Sequence, residues 1–222
     1  MFHVEQAWIE ALREGASELQ IPLQDQHFSQ FERYLKDLIA WNKKTNLTAI
    51  TDDKEIAVKH FLDSLTLVKA LGRKGHLLDI GAGAGFPSLP VKIVRPELHV
   101  TTVDAVEKKV IFQRHAARTL GLHGFEALHA RGEELAVHHA ERFDYVVSRA
   151  FSDIPTFARM ALPLLKGNGR IVAMKGRGGT DEATAARAPL AELGLRIVEV
   201  LEFPLPVTGD RRALVVIERQ PS

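Results

Sequence analysis

"LLDIGAGAGFPSLP", Leu77 to Pro90, sets three glycines at alternate positions directly after a short apolar run that ends in an acid. The run reads as a strand and the glycines as a turn into a helix, the opening half of a β/α unit. Its surroundings extend the pattern. After Gly75, β-type runs alternate with helical stretches: "HLLDIG", "LHVTTVDA", "GFEALHA", "DYVVSRAF" and "GRIVAMKG". Such alternation predicts a parallel sheet flanked by helices. At the C-terminus "RIVEVLEFPLPV" and "RRALVVIERQ" read as two more strands with only "TGD" between them. A connector that short joins antiparallel neighbours and cannot make a parallel crossover. The expected fold is α/β and Rossmann-like: five parallel strands, then a hairpin that inserts one reversed strand.

The residues before the sheet read as helices. Leu35, Leu38 and Ile39 set one helical apolar spacing, and Val58, Phe61, Leu62, Leu65 and Val68 set another. "TDDKE", Thr51 to Glu55, reads as a helix start with acids in its first turn. The division this suggests is a helical N-terminal extension over residues 1–72 and a cofactor-binding domain over 73–222, forming one compact unit.

Composition narrows the class. The chain has 222 residues, enough to bury a full core, and 45% of them are apolar without any run of membrane-spanning length. "MFHVEQAWIEALREG" reads as an amphipathic helix rather than a signal peptide, so a cytoplasmic protein is expected. Cysteine is absent, which excludes disulfides, thiolate metal sites and cysteine nucleophiles. The histidines are scattered without metal-ligand spacing, so no metal is expected. A net charge of +1 means that any anionic partner must be held by local cations.

The bland reading of "GAGAG" is a tight turn with no ligand. Against it, the stretch follows the first strand of an alternating unit, and Asp104 closes the second strand. A carboxylate there can accept hydrogen bonds from ribose hydroxyls, which points to a nucleoside-containing cofactor. A dinucleotide site spaces its glycines as GxGxxG and sets a pyrophosphate on the helix N-terminus. Here the spacing is D-x-G-x-G-x-G, and Pro87 lacks an N–H that a pyrophosphate would use. S-adenosylmethionine has no phosphate and carries a cationic sulfonium, so it suits bare backbone beside an acid. The closing hairpin favours a methyltransferase sheet as well, and S-adenosylmethionine is the expected cofactor.

Beyond the loop, "LLDIGAGAGFPSLPVKIVRPE", "VDAVEKKVIFQ", "HARGEEL", "VSRAF" and "LPLLKGNGRIVAMKG", with the N-terminal "WNKKTNLTAI" and "KHFLDSL", resemble the bacterial small-subunit ribosomal RNA methyltransferase G family, formerly called glucose-inhibited division protein B. The resemblance runs over nearly the whole chain in order. Ser88 stands where relatives usually have glycine, and "DAVEKK" replaces the commoner "DSLGKK". The resemblance implies methylation of N7 of guanine 527 in the 530 loop of 16S rRNA, with the rRNA or the small subunit as partner.

The residues narrow the acceptor independently. C5 of a pyrimidine needs a covalent cysteine adduct, and no cysteine is present. Exocyclic-amine enzymes carry an acid or amide followed by Pro-Pro-aromatic after the fourth strand, where this chain reads "SRAF". A ring nitrogen or a hydroxyl remains. Guanine N7 loses no proton on methylation, so positioning alone can suffice.

Roles follow by position. Gly81, Gly83 and Gly85 should pass the methionine part of the cofactor, with Asp79 orienting it and Asp104 holding the ribose. Phe86 either packs on the cofactor or fills the core. Gly132 and Glu133 should border the adenine; their alternative is an ordinary helix start. Arg149 ends the fourth strand, and the resemblance favours a cofactor or target-guanine contact over a surface salt bridge. Lys108, Arg131, Lys175 and Arg212 lie near strand ends on one face and could meet phosphates. Asn46 and His60 belong to the N-terminal signature as substrate-binding candidates, with a capping asparagine and a packing histidine as alternatives. The rival functions are a nicotinamide-dependent oxidoreductase, a non-catalytic RNA-binding module on a methyltransferase fold, and a small-molecule methyltransferase.

Overall fold

The computed structural model describes residues 2–149, 151 and 153–221, with the side chains of residues 2–6 and 133 outside that description. Two helices open the chain, α1 (Phe2–Glu18) and α2 (Asp25–Thr45). The apolar stripe of α2 buries Phe28, Phe31, Tyr34, Leu35 and Leu38, three to four residues apart as one helix face requires. The next helical run starts where "TDDKE" predicts: Asp52 caps it by accepting the Glu55 N–H at 2.9 Å. It continues through α3 (Asp53–Ile56), a π-helical turn (Ala57–Leu62), α4 (Asp63–Leu65) and a 3-10 turn (Thr66–Lys69).

The alternating part follows as β1 (Gly75–Ile80), α5 (Ser88–Val94), β2 (Leu98–Asp104), α6 (Glu107–Thr119) and β3 (Phe125–His129). After a short turn, Gly132–Glu134, come α7 (Ala136–His139), β4 (Phe143–Ser148), α8 (Ile154–Ala161), β5 (Leu165–Lys175) and α9 (Gly179–Glu192). The hairpin β6 (Leu195–Pro204) and β7 (Arg211–Arg219) ends the chain. The sheet order is β3-β2-β1-β4-β5-β7-β6. β1 to β5 pair in parallel, and β7 runs antiparallel to both β5 and β6, so one reversed strand is inserted as the sequence predicts.

The hairpin connector differs from the expectation. It spans residues 205–210, closed by Leu205 N–H donating to the Asp210 carbonyl at 2.8 Å. "LPV" therefore belongs to the loop: Pro206 has no N–H for the ladder, and Val207 sits at φ +73°.

The sheet buries both faces, as a parallel sheet must. α8 and α9 cover one side, where Leu78 and Ile80 of β1 meet Phe157 and Leu190. On the other side the core runs without a break from Trp8 and Leu12 through Phe31 and Phe61 to Leu77, Val147 and Val172. The N-terminal helices thus roof one sheet face together with α5 and α6. Strand order reverses between β1 and β4, which opens a crevice at their C-terminal ends.

Candidate functional site

Gly81, Gly83 and Gly85 form the turn that leaves β1, at φ of +80°, +60° and +97°. A side chain is costly in that left-handed region. At Gly83 a Cβ would meet nothing within 4 Å, so the backbone there is open to an incoming group. At Gly85 it would lie 2.3 Å from Leu89 Cδ1 and 3.2 Å from the Tyr34 hydroxyl, so the position is packed rather than open. Three elements clamp the loop. Gly83 N–H donates to Asp104 Oδ2 at 2.9 Å, Gln113 Nε2 of α6 donates to the Gly83 carbonyl at 2.7 Å, and the Tyr34 hydroxyl of α2 donates to the Ala84 carbonyl at 2.6 Å.

Two carboxylates attend this loop. Asp104 is 7% exposed; its Oδ1 accepts the Val106 N–H at 2.9 Å while Oδ2 holds Gly83. Each oxygen keeps a second lone pair for a ligand hydroxyl. Asp79 is fully buried, with Oδ2 accepting from the Ser88 hydroxyl at 2.7 Å and Oδ1 without a partner. Burial pushes its pKa up to about 7, against the lowering effect of the Ser88 hydrogen bond and the Arg149 charge. A loop carrying two acids repels a pyrophosphate and suits a ligand with cationic character. These residues fit S-adenosylmethionine better than a dinucleotide.

Beside the loop lies a crevice of about 460 Å³. Ile80, Val103, Ala130, Gly132, Phe151 and Met160 make it apolar, and Asp104 and Arg131 supply its charged groups. Apolar walls with one carboxylate match a nucleoside, the base between side chains and the ribose on the acid. A Cβ on Gly132 would lie 2.4 Å from Met160 Sδ and 3.1 Å from Ile80 Cγ2, so glycine keeps this wall from crowding. The Glu133 side chain lies outside the described residues.

Of the two readings of Phe86, the packing favours the core. This residue is 4% exposed and is not among the crevice walls. Its ring stacks on His60 at 4.4 Å and 15°, and lies 5.4 Å from the Tyr34 ring. The aromatic cluster of the N-terminal helices claims it, so it fills the core.

A second cavity, about 310 Å³, opens at the same sheet edge, lined by Asp63, Thr66, Arg149, Met174, Lys175 and Arg212 among others. Arg149, just past β4, reaches toward the helical run. Its Nη1 lies 3.2 Å from Asp63 Oδ2 and donates to the Lys59 carbonyl at 3.4 Å. Its Nη2 is 3.5 Å from His60 Nδ1, and the guanidinium stands 5.5 Å from the Phe86 ring centroid. His60 Nε2 is 2.8 Å from Thr48 Oγ1. Burial first, and the Arg149 charge second, press the His60 pKa down to about 3. The imidazole is therefore neutral, with Nε2 hydrogen-bonded to Thr48 and Nδ1 facing the Arg149 guanidinium. Arg212 Nε donates to Asp63 Oδ1 at 2.7 Å.

The other candidates divide. Arg131 is exposed beside the crevice, on the nucleoside side of the site rather than in the second cavity. Lys108 is exposed in the first turn of α6 and lines neither cavity. Lys175 does line the second cavity, yet its side chain is 9% exposed, with Nζ 2.7 Å from Glu182 and 2.9 Å from the Phe151 carbonyl. That pairing engages its charge with α9. Asn46 is an exposed left-handed residue, φ +48°, that terminates α2; it is a cap, not a lining residue. The side chain that shapes "NLT" is Asn42, whose Oδ1 accepts the Leu47 and Thr48 N–H groups at 2.6 and 3.0 Å.

Sequence reasoning missed Asp63, Thr48, Tyr34 and Gln113. Asp63 carried a signal, an acid three residues after His60 inside an otherwise apolar helical run. Tyr34 and Gln113 carried none, because only the fold brings α2 and α6 to the glycine loop.

A family model described as rRNA small subunit methyltransferase G matches residues 27–211. The chain is 63% identical over 205 residues to the ribosomal RNA small subunit methyltransferase G of Geotalea uraniireducens, covering 92% of this chain and 94% of that protein. It is 56% identical to the protein of the same name from Geobacter metallireducens, covering 93% and 94%. Among solved structures, an S-adenosylmethionine-dependent methyltransferase from Aquifex aeolicus superposes with a TM-score of 0.54 at 20% identity, covering 71% of this chain and 90% of that one. A Bacillus subtilis tRNA methyltransferase gives 0.57 at 13% identity, over 71% and 65%.

Proposed function

Because this chain belongs to the rRNA small subunit methyltransferase G family, we propose that it transfers the methyl group of S-adenosylmethionine to N7 of guanine 527 in the 530 loop of 16S rRNA. It is a methyltransferase of small-subunit rRNA; the position and the atom are the finer reading. The observation that carries this reading is the pairing of two cavities at one sheet edge. One has a bare, doubly acidic loop suited to a cationic nucleoside cofactor, and the other has two arginines suited to RNA.

Bound S-adenosylmethionine supplies an electrophilic methyl group on its sulfonium. The chain's own residues do the positioning. Asp104 binds the ribose, Asp79 counters positive charge beneath the loop, and Arg131 and Gly132 border the base. Arg149 and Arg212 hold the acceptor nucleotide. A proton acceptor is not needed for N7, whose in-plane lone pair attacks without losing hydrogen. His60, pressed to a pKa of about 3, is a poor base, which agrees with chemistry that needs none. Action on a ribosomal particle puts the protein in the cytoplasm, and among the described residues no helix is long and apolar enough to cross a membrane.

The test uses small subunits that lack the modification, incubated with the protein and methyl-tritiated donor. A methylated N7 leaves a cationic ring that borohydride reduces and aniline then cleaves. Label at one guanine with strand scission there is the expected result. Label without scission means another atom, and scission elsewhere means another position.

A further inference from the structure

Asp63 is one carboxylate shared by two guanidinium groups that arrive from different strands at one edge of the sheet. Oδ2 faces Arg149 Nη1 at 3.2 Å, and Oδ1 accepts from Arg212 Nε at 2.7 Å. Its side chain is 7% exposed, while those of Arg149 and Arg212 are 27% and 22% exposed. The acid is thus covered and the two bases remain reachable. Arg149 follows β4, Arg212 is the second residue of β7, and neither strand hydrogen-bonds to the other, because β5 separates them. Among the described residues Asp63, from the N-terminal helices, is the side chain that joins them. With one negative and two positive charges the trio keeps an excess positive charge at the cavity; Asp210 approaches Arg212 Nη2 at 3.8 Å but is half exposed and contributes little.

The local backbone is built around this contact. The π-helical turn Ala57–Leu62 immediately precedes Asp63, and it directs the Lys59 carbonyl, His60 and Asp63 onto Arg149 together. Single π turns inside helices frequently mark functional positions. A buried carboxylate is costly unless its partners repay it, and here both oxygens are committed to arginines.

We propose that Asp63 is a positioning residue for methyl transfer: its single carboxylate fixes the guanidinium groups of Arg149 and Arg212 on one wall of the second cavity, where they receive the acceptor nucleotide. The assignment rests on the function proposed above. Each guanidinium carries five N–H donors and Asp63 takes one from each, so both keep donors for a phosphate or a base edge. Asp63 touches no reacting atom. Its effect passes through the arginines, whose placement decides whether the acceptor lies in line with the methyl group.

The test is steady-state methylation of unmodified small subunits at saturating S-adenosylmethionine by the parent, Asp63→Asn, Asp63→Glu and Arg212→Lys. Asp63→Asn keeps the shape and removes the charge. It should lower kcat about ten- to a hundredfold, as misplacement at a reacting site does, with KM for the subunits unchanged or lower because the cavity becomes more cationic. S-adenosylhomocysteine affinity should stay within about twofold. Asp63→Glu restores the charge but overpacks a buried site, so it should melt lower than Asp63→Asn and yet turn over faster. A purely structural residue gives the reverse, with kcat following the melting temperature, and that order overturns the proposal. Arg212→Lys keeps the charge and loses the fork on Asp63; it should show the same fall in kcat, and it decides the question if Asp63→Asn does not fold. Parental kcat in Arg212→Lys and Asp63→Asn also overturns the proposal. If the parent itself methylates no small subunit, the proposed function fails and this inference fails with it; if the parent is active and the variants match it, the inference alone fails.

Discussion

Asp79 shows how much one buried acid can shape this site. Its carboxyl titrates near 3.8 when solvated, and burial raises it to about 7 in the folded chain. Between those values the folded protein holds a proton that the unfolded chain has released, so this group lowers stability as pH rises through the window and contributes no further change above it. His60 acts with the opposite sign. Pressed from 6.5 to about 3, it stays neutral in the fold, and its contribution is lost as pH falls below 6.5. Asp79→Asn should therefore stabilise the cofactor-free protein increasingly from pH 4 to pH 7 and by a constant amount beyond. Thermal melts of both proteins across that range check this. A stability difference independent of pH would mean that the Asp79 carboxyl is not perturbed. Ser88 fits the same picture. It brings a hydroxyl to Asp79 Oδ2, satisfying one of two buried oxygens and leaving the other for a ligand.

At the scale of elements, the glycine loop is held from outside its own β/α unit. Gln113 reaches it from α6, 30 residues after Gly83, and no local pattern announces that contact. Tyr34 lies 50 residues before Ala84, in the helical extension. Its hydroxyl satisfies the Ala84 carbonyl, and its ring stacks with Phe61 and Phe112 at 5.4 and 6.2 Å. The extension therefore helps to hold the glycine loop. Tyr34→Phe keeps the ring and leaves that carbonyl unpaired, at a cost of about 1–3 kcal/mol. Part of that cost should appear as a weaker hold on the loop, making S-adenosylhomocysteine binding roughly three- to tenfold weaker by titration calorimetry, with KM for the small subunit unchanged. A lower melting temperature with parental affinity would limit the bond to packing α2.

For the whole molecule, a net charge of +1 leaves RNA recognition to a few cations, and the fold sorts those by what else they are doing. Lys175 is committed to Glu182, whereas Arg149 and Arg212 share Asp63 and keep further N–H donors. Lys108 is exposed, and among the described residues no ion pair holds it. Phosphate contacts release counterions, so losing one lowers the salt dependence of binding by roughly 0.7–0.9 log units per tenfold salt. Lys108→Ala should flatten the salt slope of small-subunit binding by about that much and leave the melting temperature unchanged. Lys175→Ala should do the reverse, lowering stability by a few kcal/mol because Glu182 loses its partner, with the salt slope kept. Filter binding across a salt series, with melts alongside, reads both; a Lys108 variant with the parental slope removes that residue from the interface.

The sequence by itself determined the sheet, its single reversed strand, the glycine loop and Asp104. Those depend on period, on connector length and on residues close along the chain. It also marked "NLTAI" and "HFLDS" as special without saying why. Tertiary structure alone decided that Phe86 faces His60 rather than a ligand, that Lys175 belongs to α9, and that Asp63 stands between two arginines 86 and 149 residues away. Local patterns report which face of an element is buried. They do not report which distant side chain fills the space opposite, and in this protein that pairing sets the charge, the proton positions and the geometry of the site.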